Sequence, residues 1–505
     1  MDSKMNKQAI PLLRPVLDAR EEYVLSNDFV LPEYCPDMAV VLKCMVTPLI
    51  HSRQWTAGQL MLEGSATIRV LYLDEERNVI RKAEFNHPIS LTVRCEEGHD
   101  IPLTQVSVTQ EYVNCRATSP RRLEVRGAFS VHAWAHCAQD LPVLSADCKN
   151  VHVRRCETEV SSIKAFTERV MVLNDVLDLS SPLPTEDNLL YDAYQVCVQE
   201  CKLLTGKAIV KGTVYLRQLY GDPKNGDMLP VTHTVPFSQI LDLDGAEEGD
   251  RCEVNACILS NSFRITGNGE EQHAVLEVAV KVLVQVQAFD CRKVSLVTDA
   301  YHSQCPSTLQ TQELTLMGFK GMHRHTAVIQ RSFDLPSGDI KEILDVWLQL
   351  LSSACHCDGT RVLVTQKVNV CMLVKDVNGM IAYFERPEEL ETEQAVDADH
   401  AVAEINVLHV DCIKNGNRLE LKAELNACVS VWSKQEHKTV LDVHLQEEEA
   451  YPTQRFAVRL YYAKSGENVW DIARECRTSP EGILTENGLH DYSLAEDAVL
   501  VVPID

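Results

Sequence analysis

LMLEGSATIRVLYLDEERNVI, residues 60–80, is the stretch whose reading decides the fold. Apolar and polar residues alternate along it, the alternation breaks at Asp and Asn, and it then resumes, as a strand, a turn and a returning strand require. The pattern recurs as KAIVKGTVYLRQLYGDPKNGDML at 207–229 and as RVLVTQKVNVCMLVKDVNGMI at 361–381. A second pattern follows each hairpin: RRLEVRGAFSVHAWA at 121–135, AVLEVAVKVLVQVQAF at 274–289 and NRLELKAELNACVSVW at 417–432. Each carries Leu-Glu and then a β-branched residue or Leu at the same phase of a long strand. A period of about 150 residues is too long for a solenoid and suits tandem domains.

Ahead of each hairpin stands a shorter segment with helical spacing: CPDMAVVLKCMV at 35–46, EDNLLYDAYQVCVQE at 186–200 and SGDIKEILDVWLQLL at 337–351. In the last, Ile340, Ile343, Leu344 and Trp347 fall on one face of a helix, and a nearby Asp or Ser can cap its start. Each copy therefore reads as strand, helix, hairpin and further strands, with the helix covering one face of a mostly antiparallel sheet. The expected fold class is α+β, mostly β. Three tandem sheet-rich domains, each with a helix, span 1–148, 149–310 and 311–448, and a small domain occupies 454–505. The boundaries fall near 146–150, at 301–322 where Pro306, Gly318 and Gly321 interrupt the apolar pattern, and at the acidic QEEEA of 446–450 followed by Pro452.

The tail reads in the order β-α-α-β: a strand from Phe456 to Tyr462, a turn at Lys464 to Glu467, two helices, and a strand from Ala498 to Val502. Asn468 is an N-cap, with Val469, Ile472 and Ala473 on the buried face behind it. Ser479-Pro480-Glu481 starts the second helix with a capping hydroxyl, a proline at the first position and an acid at the positive end of the dipole, and Asn487-Gly488 ends it.

SGENVWDIA at 465–473, ILTENGLHDYSL at 483–494 and the closing VLVVP resemble the LysM family. That resemblance implies a shallow groove for N-acetylglucosamine polymers, or for a protein, lined by Lys464, Ser465, Gly466, Glu467, Asn468 and Trp470 on one side and by Asn487, Gly488, Leu489 and Tyr492 on the other. Trp470 also reads as a core aromatic of a small domain. Where the family has Pro-Gly before its last strand, this chain has Ala495, Glu496 and Asp497, and acids on that rim leave room for a protein ligand. VLPEYCPDMAVVLKC at 30–44, the Glu63-Gly64 hairpin and the repetition of the unit resemble the SPOCS domain family of clostridial sporulation proteins, most clearly in the first copy. In the third copy Gln366 stands where the hairpin glycine would be, and in the second Thr185-Glu186-Asp187 replaces the Pro-Asp start. SPOCS repeats followed by a LysM module are the layout of spore-coat morphogenetic proteins. This layout implies a scaffold in the mother-cell cytosol at the forespore surface, whose LysM module binds the coat basement-layer ATPase SpoIVA. The alternative is a wall protein that grips N-acetylglucosamine chains through the same groove.

The chain has 505 residues, 45% of them apolar, and a formal charge of −25, which repels nucleic acid and anionic membrane. No stretch approaches the roughly 18 apolar residues of a membrane span, and the first twenty lack a signal-peptide core, so a cytoplasmic protein is expected. The 19 cysteines are scattered through apolar stretches as buried thiols are, and an odd number cannot all pair internally. Cys197 and Cys201 read as the apolar face of the second copy's helix. No catalytic site, metal or cofactor is expected. The motifs GxxxxGK[ST], GxSxG and HExxH are missing, and Gly206-Lys207 lacks the upstream glycine of a phosphate loop. Cys355-His356-Cys357 with His323 and His325 has the ligand types of zinc but not its spacing.

Overall fold

The computed structural model describes residues 7–503 apart from 57, 76–78, 95–102, 145–149, 180–183, 223–225, 268–273, 335–339, 417 and 453–457. The proposed caps Ser337 and Asp339, and most of the first expected boundary, lie outside the described residues. The first unit runs β1 (Lys7–Val30), β2 (Met38–Thr56), β3 (Gln59–Asp74), β4 (Ile80–Arg94), β5 (Leu103–Ser119) and β6 (Arg122–Leu144). The second runs β7 (Val151–Leu179), β8 (Leu189–Leu204), β9 (Lys207–Gly221), β10 (Met228–Asp242), β11 (Arg251–Gly267) and β12 (Ala274–His302). The third runs β13 (Ser307–Asp334), β14 (Ile340–Cys357), β15 (Val362–Asp376), β16 (Ile381–Gln394), β17 (His400–Asn415) and β18 (Arg418–Leu445). The tail adds β19 (Val458–Ala463), α1 (Val469–Cys476), α2 (Pro480–Asn487) and β20 (Ala498–Pro503).

Each unit consists of two three-stranded antiparallel sheets, in the first β2-β3-β4 and β1-β6-β5, and the same order returns in the other two. The quoted hairpins are β3–β4, β9–β10 and β15–β16, and the second sequence pattern forms the long middle strands β6, β12 and β18. Between the two sheets of the first unit pack Leu60, Leu62, Ile68, Val70 and Tyr72 of β3 against Leu123, Val125, Phe129 and Val131 of β6, all essentially buried. Burying one such side chain contributes about 1.5–3 kcal/mol.

Among the described residues the expected helix in each unit is absent, so the α+β expectation is corrected to a mostly β chain. Among the described residues the only two α-helices lie in the tail. From Met38, Leu189 and Ile340 onward, the segments read as helical lie in β2, β8 and β14. The cause is a run of β-bulges, each of which inserts an extra residue and stretches the two-residue repeat locally to three. In β14 the register shifts between Ile340 and Glu342 and again between Ile343 and Asp345, so Ile340, Ile343 and Val346 face Asp376, Val374 and Met372 on one side of the sheet. Met38, Val41 and Cys44 do the same in β2, as do Leu189 and Asp192 in β8. A three-residue spacing of apolar side chains imitates a helical face. Trp347, which pairs with Cys371, points to the opposite side from Val346.

Gly64 lies inside β3 rather than in its turn. A Cβ there would overlap the Leu49 carbonyl oxygen, beside the bulge between Ile50 and Ser52, so glycine permits the close approach. Gly212 holds the same place in β9, against Phe237 and the Cys197 carbonyl. In the third unit Gln366 instead donates to the Ser352 carbonyl at 2.7 Å.

The three units close into a ring, because the same positions of each meet on a common axis. Leu71, Leu219 and Leu373, equivalent residues of β3, β9 and β15, share one buried cluster. Leu144, Val297 and Val440, near the ends of the middle strands, form another. Between these layers His136, Phe289 and Trp432 come together, with Phe289 edge-on to Trp432 at 5.6 Å and His136 stacked on it at 6.0 Å. Polar contacts repeat around the ring in the same sense. Arg69 of the first unit pairs with Asp192 of the second at 2.7 Å, Arg217 of the second pairs with Asp345 of the third, and Glu385 of the third pairs with Lys43 of the first at 2.6 Å.

Candidate functional site

The tail folds by the local signals its sequence carries. The Asn468 side chain accepts the Trp470 N–H at 2.9 Å and caps α1, which ends on Arg477 in the left-handed region. Ser479 caps α2 by accepting the Gly482 N–H at 3.3 Å, with Pro480 and Glu481 in the first turn and Gly488 at φ 61° past the end. Val469, Ile472, Ala473, Ile483, Leu494, Leu500 and Val502 make the small core.

The two loops expected to flank a groove do meet. Asn468 forms a β-bridge with Ser493, the Val469 N–H donates to the Tyr492 carbonyl at 2.7 Å, and the Leu494 N–H donates to the Glu467 carbonyl at 3.0 Å. Lys464, Ser465 and Gly466 are exposed on the first loop, with the Ser465 N–H held by the Asp497 carboxylate at 2.7 Å. An acid at the place of the family's Pro-Gly thus has a structural use. Glu467 and Asn468 are half-buried. On the other loop Gly488 and Tyr492 are exposed, and the Tyr492 hydroxyl donates to Glu481 at 3.2 Å. Leu489 packs on the tail core. Asn487 is a clamp: its amide donates to the Ile483 and Val501 carbonyls and its oxygen accepts the Val501 N–H at 2.7 Å.

Trp470, 2% exposed, is taken up where the tail docks on the end of β12. Its indole N–H donates to Asp299 at 3.0 Å and its ring meets Tyr301 edge-on at 5.1 Å. Arg474 pairs with the same Asp299 oxygen at 2.7 Å, and the Tyr301 hydroxyl donates to the Thr478 carbonyl at 2.6 Å. Neither Asp299 nor Tyr301 carries a sequence signal of this role.

A cavity of about 1270 Å³ lies inside the ring, lined by all three units. Of its charged groups, Arg69 pairs with Asp192, and Arg217 pairs with Asp345 behind the wall. Asp345 accepts from both Arg217 and the Tyr191 hydroxyl, and burial, outweighing the Arg217 charge, still raises its pKa. Glu253 accepts from Ser430 at 2.6 Å and from Gln105 at 3.4 Å, and burial likewise pushes its carboxyl up. Glu404 has no hydrogen-bond partner among the described residues. Its side chain lines the cavity and is solvent-accessible there, and desolvation by the surrounding walls pushes its carboxyl up to about 7. Trp134 also faces the cavity, stacked on His132 at 4.7 Å. Among the described residues no three His, Cys, Asp or Glu side chains gather as metal ligands, and no helix is long and apolar enough to cross a membrane.

The fold defines a class: a mostly β protein of three repeated double-sheet units with an appended β-α-α-β tail. Residues 189–266 match the family model described as SipL, SPOCS domain, so the chain carries a SPOCS domain of the SipL type. The matched stretch covers β8 to β11 of the second unit, whereas the sequence resemblance is clearest in the first. No curated protein and no solved structure matches the chain.

Proposed function

We infer that this chain is a non-catalytic scaffold of spore-coat assembly. Its tail is a LysM module that binds the coat basement-layer ATPase SpoIVA, and its ring of SPOCS units tethers the coat to the forespore from the mother-cell cytosol. The observation that carries this reading is the SPOCS match in the second unit, repeated in topology by the other two. Further support comes from the tail, where Lys464, Ser465, Gly466, Gly488 and Tyr492 stay exposed while Trp470 is docked on the ring. A partner that is itself a polymer multiplies weak contacts by effective concentration.

The test is binding of the purified chain to immobilised SpoIVA, compared with a chain ending at Leu445. Saturable binding by the first and a loss of at least tenfold in the second supports the reading. Equal binding by both overturns the assignment of the partner site to the tail. Competition by N-acetylglucosamine oligomers, without ATPase binding, would move the tail to the wall-binding alternative.

A further inference from the structure

Two pairs of thiols join the sheets of the first two units. The sulfurs of Cys201 on β8 and Cys252 on β11 lie 3.6 Å apart. Cys44 on β2 is part of the first unit's core, and Cys115 on β5 packs against that core, near enough for each thiol to displace the other's pKa. β2 and β5 are the counterparts of β8 and β11, so both pairs bridge the same two sheet edges. They do so at different heights. Cys44 faces Val70 and Cys115 faces Val125, whereas Cys201 faces Val210 and Cys252 faces Ala288. The third unit keeps Cys412 at the place of Cys115, but has Val346 where Cys44 would be, and so has no such pair there.

We propose that Cys201–Cys252 and Cys44–Cys115 are oxidisable dithiol sites, each closing into a disulfide that staples the two sheets of its unit, with a small-molecule disulfide such as oxidised glutathione as the oxidant. The sulfurs need to close to about 2.05 Å, a movement that side-chain rotation can supply. Cys252 is the attacking group of its pair. The hydrogen bond it shares with Cys201 and the nearby Arg324 charge together hold its thiol below the ordinary range. Its thiolate attacks one glutathione sulfur, forming a mixed disulfide and expelling the other glutathione as thiolate, which takes up the proton. Cys201 then loses its proton and attacks the Cys252 sulfur, expelling the second glutathione as a thiol. Two protein thiols have lost two electrons, and one glutathione disulfide has gained them. Cys201, Cys252 and Cys115 are half-buried, so a small oxidant has a route to each pair.

The experiment treats the full chain, reduced and then freed of reductant, with millimolar oxidised glutathione under native conditions, followed by alkylation and peptide mapping. The expected result is two internal cross-links, Cys201 to Cys252 and Cys44 to Cys115, with four fewer free thiols per chain. In Cys252→Ser only the Cys44 to Cys115 link forms and the loss falls to two, with Cys201 recovered as thiol. The proposal is overturned if the native chain gives cross-links to other cysteines, stable glutathione adducts at these four, or no thiol loss. Cys412→Ser guards against general disruption, since it leaves both links intact if the proposal holds.

Discussion

Removing the Asp299 carboxylate should release the tail from the ring. Asp299 Oδ2 accepts the Trp470 indole N–H and the Arg474 guanidinium, and Oδ1 accepts the Ala300 N–H. In Asp299→Ala the buried indole N–H loses its acceptor, which costs about 1–3 kcal/mol. The Arg474 pair is half-exposed and adds below about 1 kcal/mol. A total of about 2 kcal/mol shifts the docked-to-released ratio by about 30-fold. The contacts that remain, Tyr301 to Thr478 and the ring edge on Trp470, are worth about 1–2 kcal/mol together. Limited proteolysis of the segment joining β18 and β19 reads this ratio when opening is fast relative to cleavage. Cleavage should speed up by about 10- to 30-fold in Asp299→Ala and by less than about threefold in Asp299→Asn, which keeps an acceptor. The main thermal transition of the ring should stay within about 2 °C. Cleavage of Asp299→Ala at the wild-type rate would refute the reasoning.

Three further outcomes follow from the ring. Asp345→Ala strands Arg217 and Tyr191 at the junction of the second and third units, and should cost about 3–5 kcal/mol in denaturant unfolding; an unchanged midpoint contradicts the closure. Glu404→Gln should flatten the pH dependence of stability. The folded carboxyl titrates near 7, above its unfolded value, so wild-type stability falls as pH rises from about 4.3 to 7, and the glutamine variant should gain about 1–2 °C in Tm at pH 8 but almost none at about pH 4. Gly64→Ala places a Cβ on the Leu49 carbonyl and should lower stability by about 1–3 kcal/mol in the same melting assay, and an unchanged Tm contradicts the close approach.

The hairpins and long middle strands were legible because period-two alternation is written directly in their side chains. β2, β8 and β14 were not, since their bulges convert that period to the three-residue spacing of Ile340, Ile343 and Val346, which a helix shares. Ring closure was hidden for another reason: Leu71, Leu219 and Leu373 look like any apolar strand residues until the units are set around one axis. In the tail, Asn468, Ser479, Pro480 and Gly488 announced both helices through capping chemistry, which is local. Docking was invisible because Trp470 and Asp299 are 171 residues apart. An aromatic at that position looks the same whether it meets a ligand, its own core or a neighbouring sheet.

Hydrogen–deuterium exchange of the full chain, alone and saturated with SpoIVA, tests the scaffold reading most directly. The account predicts slowed exchange at 464–468 and 487–492, with α1 unchanged where it already packs on Tyr301. Protection confined to the β strands of the ring, with those two loops exchanging as in the free chain, would contradict it.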